Sequence, residues 1–215
     1  MGLFNIFKTS KDIPAETAAI PTTNTVQAPG ILNLQKNQIL NLTKVAPQLV
    51  KMRVAAGWDV VMRGRDYDLD LCAIMLDANQ KAVMSCNPLV YYGKKNSTGI
   101  FLDGDNLTGE GEGDDENIYV SLPEIPMDVQ TILFCVVIYD AYARKQKFKN
   151  VKNAYVRIVN ETNGETEVCR YNLTEDGGDN TAVMFAELYK DGNEWNFKAI
   201  GKYLKASIQD IRNLY

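Results

Sequence analysis

The sequence contains no histidine among its 215 residues. This absence excludes Ser-His-Asp and Cys-His nucleophilic catalysis, and it also removes the usual imidazole ligands of zinc. No Walker-type phosphate-binding loop is present either. Any chemistry carried out by this chain would therefore have to depend on carboxylates and a bound metal ion.

The four cysteines show no CxxC spacing, and no apolar run is long enough to span a bilayer. Cys72 and Cys135 lie within apolar, strand-like runs, where a free cysteine behaves as a small hydrophobic residue. No secretory signal is recognised, because the apolar stretch from Leu3 to Phe7 is too short for one. We therefore expect buried, reduced cysteines and a cytoplasmic protein, either free or peripherally associated with a membrane.

Positive charge is scarce as well, because 23 Lys and Arg residues stand against 27 Asp and Glu residues, for a formal net charge of −4. A surface that binds nucleic acid needs clustered basic residues, so we expect no nucleic acid partner. One small basic run contains Arg144, Lys145 and Lys147. We interpret it as a solvated face, with an anion site as the less favoured alternative.

Residues 1–30 are rich in Thr, Ala and Pro, which is typical of a flexible linker. The first segment, Met1–Lys8, is apolar, and two interpretations stay open for it. It is either the start of a disordered tail or an amphipathic turn that contacts a membrane surface or a partner protein. The chain is 46% hydrophobic, so residues 31–215 are predicted to form one domain with a sizeable core.

The pattern after Ile31 is mostly an alternation of apolar and polar residues with a period of two. Two runs, Leu69–Leu76 and Thr131–Tyr139, are apolar on both faces, as in central strands buried within a sandwich. Asn163–Gly164 and Asp191–Gly192 are typical of hairpin turns. Many short strands joined by such turns predict an antiparallel β-sandwich.

The ends of this domain carry less regular patterns. Apolar residues on either side of Lys36–Asn37 predict an additional hairpin near the start of the domain. Apolar residues at helical spacing predict a C-terminal helix over Gly201–Tyr215. The segment Asp140–Phe148 fits either a short helix or a charged loop. The predicted fold class is therefore all-β: an antiparallel β-sandwich with a C-terminal helix and minor helical segments.

The segment Asp103–Glu116 holds seven carboxylates and four glycines in fourteen residues, without a Lys or Arg. Such crowded negative charge favours a bound cation, and the glycines allow the backbone to aim several oxygens at one point. Hard oxygen ligands without His or Cys indicate calcium first and magnesium second. The EF-hand pattern fails, since Thr108 occupies the position of its required glycine. A solvated acidic loop is the alternative.

A second acidic element, Asp66–Asp70, opens the apolar run that begins at Leu69. Asp68 and Asp70 share one face of the predicted strand, about 7 Å apart. Carboxylates that enter a core strand must be paired or bound to something. Asp140 and Asp176 follow other strands, and we expect them at the same end of the sandwich. The alternative is that these residues are ordinary polar strand ends.

Several of these segments resemble the TerD family. The segments that carry the resemblance are Gly57-Trp58-Asp59, Asp66–Asp70, Gly104–Glu116, Ile138–Ala141, Arg170–Asp176 and Phe185–Tyr189. The resemblance runs from about Ile31 to the C-terminus. It implies a calcium-binding β-sandwich of the tellurium-resistance and general stress-response group, which is bacterial and either cytoplasmic or peripherally membrane-associated.

Carried over position by position, the resemblance also implies metal ligands. In the acidic segment they are Asp105, Asn106, Glu110, Asp114, Asp115 and Glu116. On the preceding strand they are Asp68 and Asp70, and Asp140 and Asp176 complete the candidate set from the strand-end clusters. The family often has His where this chain has Tyr139, so no imidazole is expected to be needed there.

The sequence thus favours a non-catalytic calcium-binding module of a stress or tellurite-resistance system. Its expected partners are calcium ions, other stress or tellurium-resistance proteins, and a membrane surface contacted through Met1–Lys8. One alternative is a metal-dependent hydrolase that uses carboxylates, although no Lys, Arg or His accompanies the acidic segment to assist a leaving group. The other alternative is a membrane-recruited adaptor that is anchored by the N-terminal segment.

Overall fold

The computed structural model describes residues 32–59, 67–104, 113–173 and 177–215 of the chain. The flexible extension predicted for residues 1–30, with its apolar segment Met1–Lys8, lies outside these ranges and stays a prediction.

The strands of the described ranges form two sheets. The first sheet contains β1 (Leu32–Asn33), β3 (Lys51–Gly57), β6 (Asn96–Ser97), β7 (Ile100–Asp103), β8 (Glu116–Ser121), β10 (Tyr155–Asn160) and β11 (Thr166–Asn172). The second sheet contains β2 (Ile39–Asn41), β4 (Leu69–Leu76), β5 (Leu89–Val90), β9 (Thr131–Ile138), β12 (Ala182–Asp191) and β13 (Glu194–Leu204).

The strand order is β1-β11-β10-β3-β8-β7-β6 in the first sheet and β2-β13-β12-β9-β4-β5 in the second. Neighbouring strands run antiparallel, apart from the parallel pair β1 and β11. The predicted antiparallel β-sandwich is confirmed. The hairpin turns at Gly164 and Gly192 are confirmed too, and both glycines take positive φ values, of 101° and 58°.

Apolar side chains fill the space between the sheets and also cover the outer face of the second sheet. In β4, Leu69 and Leu71 belong to the main core between the sheets. Cys72 and Ile74 belong to a second cluster, which includes Ile211 near the C-terminus. The doubly apolar run Leu69–Leu76 is therefore a strand buried on both faces, as its sequence predicts.

Three of the four cysteines are buried in these two apolar clusters, with Cys169 in the main core and Cys72 and Cys135 in the second cluster. Cys72, Cys135 and Cys169 are buried, whereas Cys86 is partly exposed. Burial raises the pKa of the Cys169 thiol to about 12. A thiol in such an environment is a packing group rather than a nucleophile.

The helical elements are short. They are α1 (Leu42–Val45), α2 (Ala141–Arg144) and α3 (Ile208–Arg212), with 3₁₀ turns at Leu122–Glu124 and Phe148–Asn150. Ser207 begins α3 with a capping box, in which its side chain and that of Asp210 each accept the other's backbone N–H. Within the described ranges, no helix has the length and apolar content needed to cross a lipid bilayer.

Two local predictions are wrong. The strands on either side of Lys36–Asn37 do not form a hairpin, because β1 pairs with β11 in the first sheet and β2 pairs with β13 in the second. Strands of two or three residues gain more from joining an existing sheet than from pairing with each other. The C-terminal helix is also shorter than predicted, because Gly201–Leu204 extends β13 along the long neighbouring strand β12.

Candidate metal-binding site

Two strands of the second sheet bring three of the predicted acidic residues to one end of the sandwich. β4 begins where its antiparallel neighbour β9 ends. The N–H of Tyr139 donates to the carbonyl of Asp68 at 2.8 Å, which extends this pairing by one step. Asp68 and Asp70 therefore lie at the strand end that Asp140 follows.

The first sheet contributes to the same end, because β3 ends and β8 begins there. Trp58, just after β3, donates its indole N–H to the carbonyl of Tyr67, just before β4, at 3.1 Å. We call this region the acidic end and define it by Asp68, Asp70, Asp115, Glu116 and Asp140.

Glu116 connects the two sheets at the acidic end. Its side chain is fully buried and accepts a hydrogen bond from the backbone N–H of Leu71 at 2.6 Å. The short strand β5 pairs with β4 at Ala73 and Ile74, so the N–H of Leu71 lies beyond that pairing. The Glu116 carboxylate thus takes the place of a neighbouring strand, through a charge-assisted hydrogen bond.

Asp68 and Asp70 are almost completely removed from water, at 3% and 2% exposure. Side chains alternate along β4, so Asp70 shares the face of Cys72, away from the main core. A cavity of about 290 Å³ opens beside it, lined by Asp70, Asp140, Tyr92, Tyr139, Tyr142 and the start of α3. Asp140 itself is exposed and takes a left-handed φ of 49°. The acidic end therefore combines buried carboxylates with an accessible opening.

Arg144 does not behave as part of a uniformly solvated basic face. Its Nη1 lies 3.6 Å from Oδ2 of Asp68, and its Cζ lies 4.8 Å from the centre of the Tyr139 ring. Lys145 is exposed, as the interpretation of a solvated face requires. Lys147 lies 2.9 Å from Asp179. The basic run is thus divided, and its first residue reaches the acidic end.

Asp115 stabilises the start of β8. Its Oδ2 accepts the backbone N–H of Trp58 at 2.9 Å, and its own N–H donates to the carbonyl of Ala56 at 2.8 Å. These two bonds tie the first residues of β8 to the last residues of β3, so one Asp115 oxygen already has a structural partner.

Asp114 is held on the face of the first sheet that points away from the core. Arg53 donates to it at 2.7 Å, and Arg157 donates to both of its oxygens at 2.8 and 2.7 Å. Burial raises the pKa of the Asp114 carboxyl, but the hydrogen bonds and charges of Arg157, Tyr155 and Arg53 outweigh burial and hold that pKa below its ordinary value. Burial is also the main cause that raises the pKa of the Tyr155 hydroxyl to about 12.

This surface forms an extended network of ion pairs, in which Arg53 also bonds Glu161 at 2.5 Å and Arg157 bonds Glu167 at 2.8 Å. We call it the arginine face and define it by Arg53, Arg157, Arg170, Asp114, Glu161 and Glu167. The sequence offers a signal for it, since Arg53 and Arg157 occupy the polar positions of alternating strands. Asp114 itself has no such signal, because the chain bends before β8 begins.

Four of the predicted ligands, Asp105, Asn106, Glu110 and Asp176, lie outside the described residues. Within the ranges that the structure describes, no three Asp, Glu, Cys or His side chains are grouped closely enough to hold a metal ion by themselves. A metal site at the acidic end would therefore need further donors, such as backbone carbonyls, water or side chains outside the described ranges.

The family is decided by a match that covers most of the chain. The model of the TerD domain matches residues 31–215. The chain belongs to the TerD family.

Relatives of this TerD-family chain are named for resistance and stress. Tellurium resistance protein TerD of Alcaligenes sp. is 42% identical over 172 residues, which cover 79% of this chain and 89% of that protein. General stress protein 16U of Bacillus subtilis (strain 168) is 42% identical over 188 residues, which cover 86% of this chain and 96% of that protein.

A crystal structure described as a homologue of telluride resistance protein (TerD), from Streptomyces coelicolor A3(2), matches with a TM-score of 0.63. It is 19% identical and covers 75% of this chain and 94% of that chain. A likeness at this identity shows the fold, and the shared fold agrees with the two packed sheets described above.

These findings confirm the resemblance to the TerD family that the sequence motifs indicate. Several of the motifs meet in space, because Trp58, Asp68, Asp70 and Glu116 all lie at the acidic end. The assignment of Asp68, Asp70 and Glu116 as metal ligands, like that of Asp114, Asp115 and Asp140, stays a prediction.

Proposed function

We propose that this TerD-family protein is a non-catalytic calcium-binding module that acts in tellurium resistance or in a general stress response. Relatives named for those roles support the biological context. The observation that supports calcium most directly is the burial of three carboxylates at the acidic end.

Asp68, Asp70 and Glu116 are 3%, 2% and 0% exposed, and Glu116 bonds the residue that follows Asp70. Carboxylates removed from water favour nearby positive charge, because burial disfavours the ionised form. Their oxygens form a hard donor set in a chain without histidine, and calcium prefers such ligands. These residues therefore offer part of the donor set that calcium prefers.

The segment between β7 and β8 supplies the further donors in this proposal. β8 begins at the acidic end, and residues 105–112 directly precede Gly113 and Asp114. We assign Asp105, Asn106 and Glu110 to complete the site with Asp68, Asp70 and Glu116. Asp115, Asp140 and Asp176 are further candidates. Asp114 is left out of the set because arginines already bond both of its oxygens.

A binding role accounts for these features without a reaction. Calcium bound to the folded state stabilises it by linkage, and it would give the acidic end a defined surface for other stress or tellurium-resistance proteins. The chain has no histidine to act as a general acid or base, which favours binding over metal-dependent hydrolysis.

Calorimetric titration of the chelator-treated protein with calcium chloride tests the proposal. The wild type is expected to bind calcium at micromolar to low-millimolar concentrations and to gain at least about 4 °C in melting temperature at saturation. Glu116→Gln keeps an oxygen that accepts the N–H of Leu71 but removes the charge. We expect it to fold and to bind calcium at least about tenfold more weakly.

Glu124→Gln is the matched control, because Glu124 is exposed in the 3₁₀ turn that follows the other end of β8. It is expected to bind calcium as the wild type does. A wild type that gives neither binding heat nor a rise in melting temperature up to a few millimolar calcium would refute the proposal. Equal affinities in both variants would instead remove Glu116 from the site.

A further inference from the structure

Arg144 contacts the acidic end through two interactions of different kinds. Its guanidinium forms an ion pair with Asp68, whose side chain is 4% exposed, while the side chain of Arg144 itself is 21% exposed. The same guanidinium lies over the ring of Tyr139, which packs edge-on against Tyr92 at 5.5 Å between ring centres. The guanidinium of Arg144 therefore has two partners, the carboxylate of Asp68 and the aromatic ring of Tyr139.

The ion pair is loose compared with other arginine pairs of the molecule. Nη1 of Arg144 and Oδ2 of Asp68 are 3.6 Å apart, whereas Arg157 and Asp114 form two hydrogen bonds of 2.8 and 2.7 Å. Charge-assisted hydrogen bonds of arginine with carboxylates are about 2.7–2.9 Å long. Arg144 thus supplies charge to Asp68 across a distance longer than that of a charge-assisted hydrogen bond.

The backbone around Arg144 is held independently of this ion pair. The N–H of Arg144 donates to the carbonyl of Asp140 at 3.0 Å, and that of Gln146 donates to the carbonyl of Ala141 at 2.9 Å. Asp140 and Lys145, on either side of α2, both take left-handed φ values, of 49° and 55°. The short helix should therefore keep its shape when the guanidinium moves or is removed.

We propose that Arg144 is a place-holding counter-cation, an inference that rests on the calcium site proposed above. Without calcium, its guanidinium compensates the buried charge of Asp68. When calcium binds, the two cations repel each other, and the guanidinium leaves Asp68 but keeps its contact with Tyr139. Arg144 thereby stabilises the calcium-free protein and lowers its affinity for calcium.

Substitution of Arg144 separates these two effects. Arg144→Gln is expected to bind calcium chloride about 3- to 10-fold more tightly than the wild type in calorimetric titration. The same variant should melt at a lower temperature than the wild type in EDTA, and this difference should shrink when calcium is saturating. Arg144→Lys keeps a point charge without the planar stacking group, so its affinity should fall between the two.

Lys145→Gln is the matched control, because it removes the same charge from the next position, which is exposed. Its calcium affinity should stay within about twofold of the wild type. An Arg144→Gln variant that binds calcium no more tightly than Lys145→Gln would overturn the place-holding role while leaving the calcium site intact. A wild type that takes up no calcium would overturn the proposed function, and the place-holding role with it.

Discussion

On the arginine face, Asp114 has a side chain that is 5% exposed and receives hydrogen bonds from two arginines at 2.7 to 2.8 Å. At the acidic end, Asp68 has a side chain that is 4% exposed and meets Arg144 at 3.6 Å. Burial is thus nearly the same in the two regions, while the way in which the charge is compensated differs.

The difference separates structural carboxylates from candidate ligands. An oxygen bonded in a bidentate manner by arginine has its lone pairs committed, so a metal ion would have to replace those bonds. The arginines that surround Asp114 come from neighbouring strands, and their positions follow from the sheet itself. At the acidic end, a backbone N–H bonds Glu116, and Arg144 contacts Asp68 at 3.6 Å. In the proposal above, the contact of Arg144 with Asp68 is the one that calcium replaces.

The largest expected effect comes from breaking the arginine face. Arg53 is 6% exposed and contacts Asp114, Glu161 and Glu165. Arg53→Met keeps most of the volume but leaves a buried carboxylate without this partner. We expect a loss of about 3–5 kcal/mol in the free energy of unfolding, measured by urea denaturation in EDTA.

Two controls, added calcium and a variant of a surface arginine, make the Arg53→Met measurement specific. The lower free energy of unfolding of Arg53→Met should persist at saturating calcium, because the proposed metal site does not include Asp114. Arg212→Met removes an exposed arginine on α3 and should leave stability within about 0.5 kcal/mol of the wild type. Full recovery of Arg53→Met by calcium would show that the two regions are not separate.

The second prediction concerns the stability of the folded protein at low pH. Since the pKa of Asp114 is lowered in the folded state, its ionised form contributes stability above the unfolded pKa of about 3.9. That contribution is lost as the pH falls through the folded pKa. Urea denaturation in EDTA should give an advantage of wild type over Asp114→Asn of about 1–2 kcal/mol at pH 7.

The shape of the pH profile is the sharper test. The advantage over Asp114→Asn should be constant from pH 7 to about pH 5 and should shrink as the pH falls below about 4. A gap that already closes between pH 7 and pH 5 would show that the pKa of Asp114 is not lowered. The arginines would then be neighbours of this carboxylate rather than its charge partners.

The sequence predicts the central strands well because their signals are local. The run Leu69–Leu76 is apolar on both faces, and the structure has β4 with the same limits. Asn163–Gly164 and Asp191–Gly192 lie in the two predicted hairpins. The partners of Leu32–Asn33 and Ile39–Asn41 could not be predicted, because they are chosen by strands more than a hundred residues away.

The candidate site is predictable to a similar degree. The sequence identifies Asp68, Asp70 and Glu116 as candidates. In the structure, Asp68 and Asp70 lie at the start of β4, and a hydrogen bond to Leu71 holds Glu116 against the same strand. The sequence does not show that Asp114 and Glu116, two residues apart, differ in role, the first being bonded by arginines and the second being a candidate ligand. The chain bends before β8 begins, so the alternation rule for strands gives no side-chain direction at Asp114.

An exposed ion pair provides the third prediction and the smallest effect. Asp179 lies 2.7 Å from Lys149 and 2.9 Å from Lys147, and these hydrogen bonds lower the pKa of its carboxyl to about 2. These short distances resemble those of the arginine face. The side chains of Lys149 and Asp179 are nevertheless 52% and 49% exposed, so water and salt screen the pair.

Lys149→Met should therefore change the melting temperature by less than about 2 °C at 0.15 M salt. The difference from wild type should decrease further at 1 M salt, because screening weakens exposed pairs more than buried ones. A shift as large as that of Arg53→Met would mean that distance, rather than burial, decides the strength of these pairs. The short bonds of Asp114, rather than its burial, would then account for the stability of the arginine face.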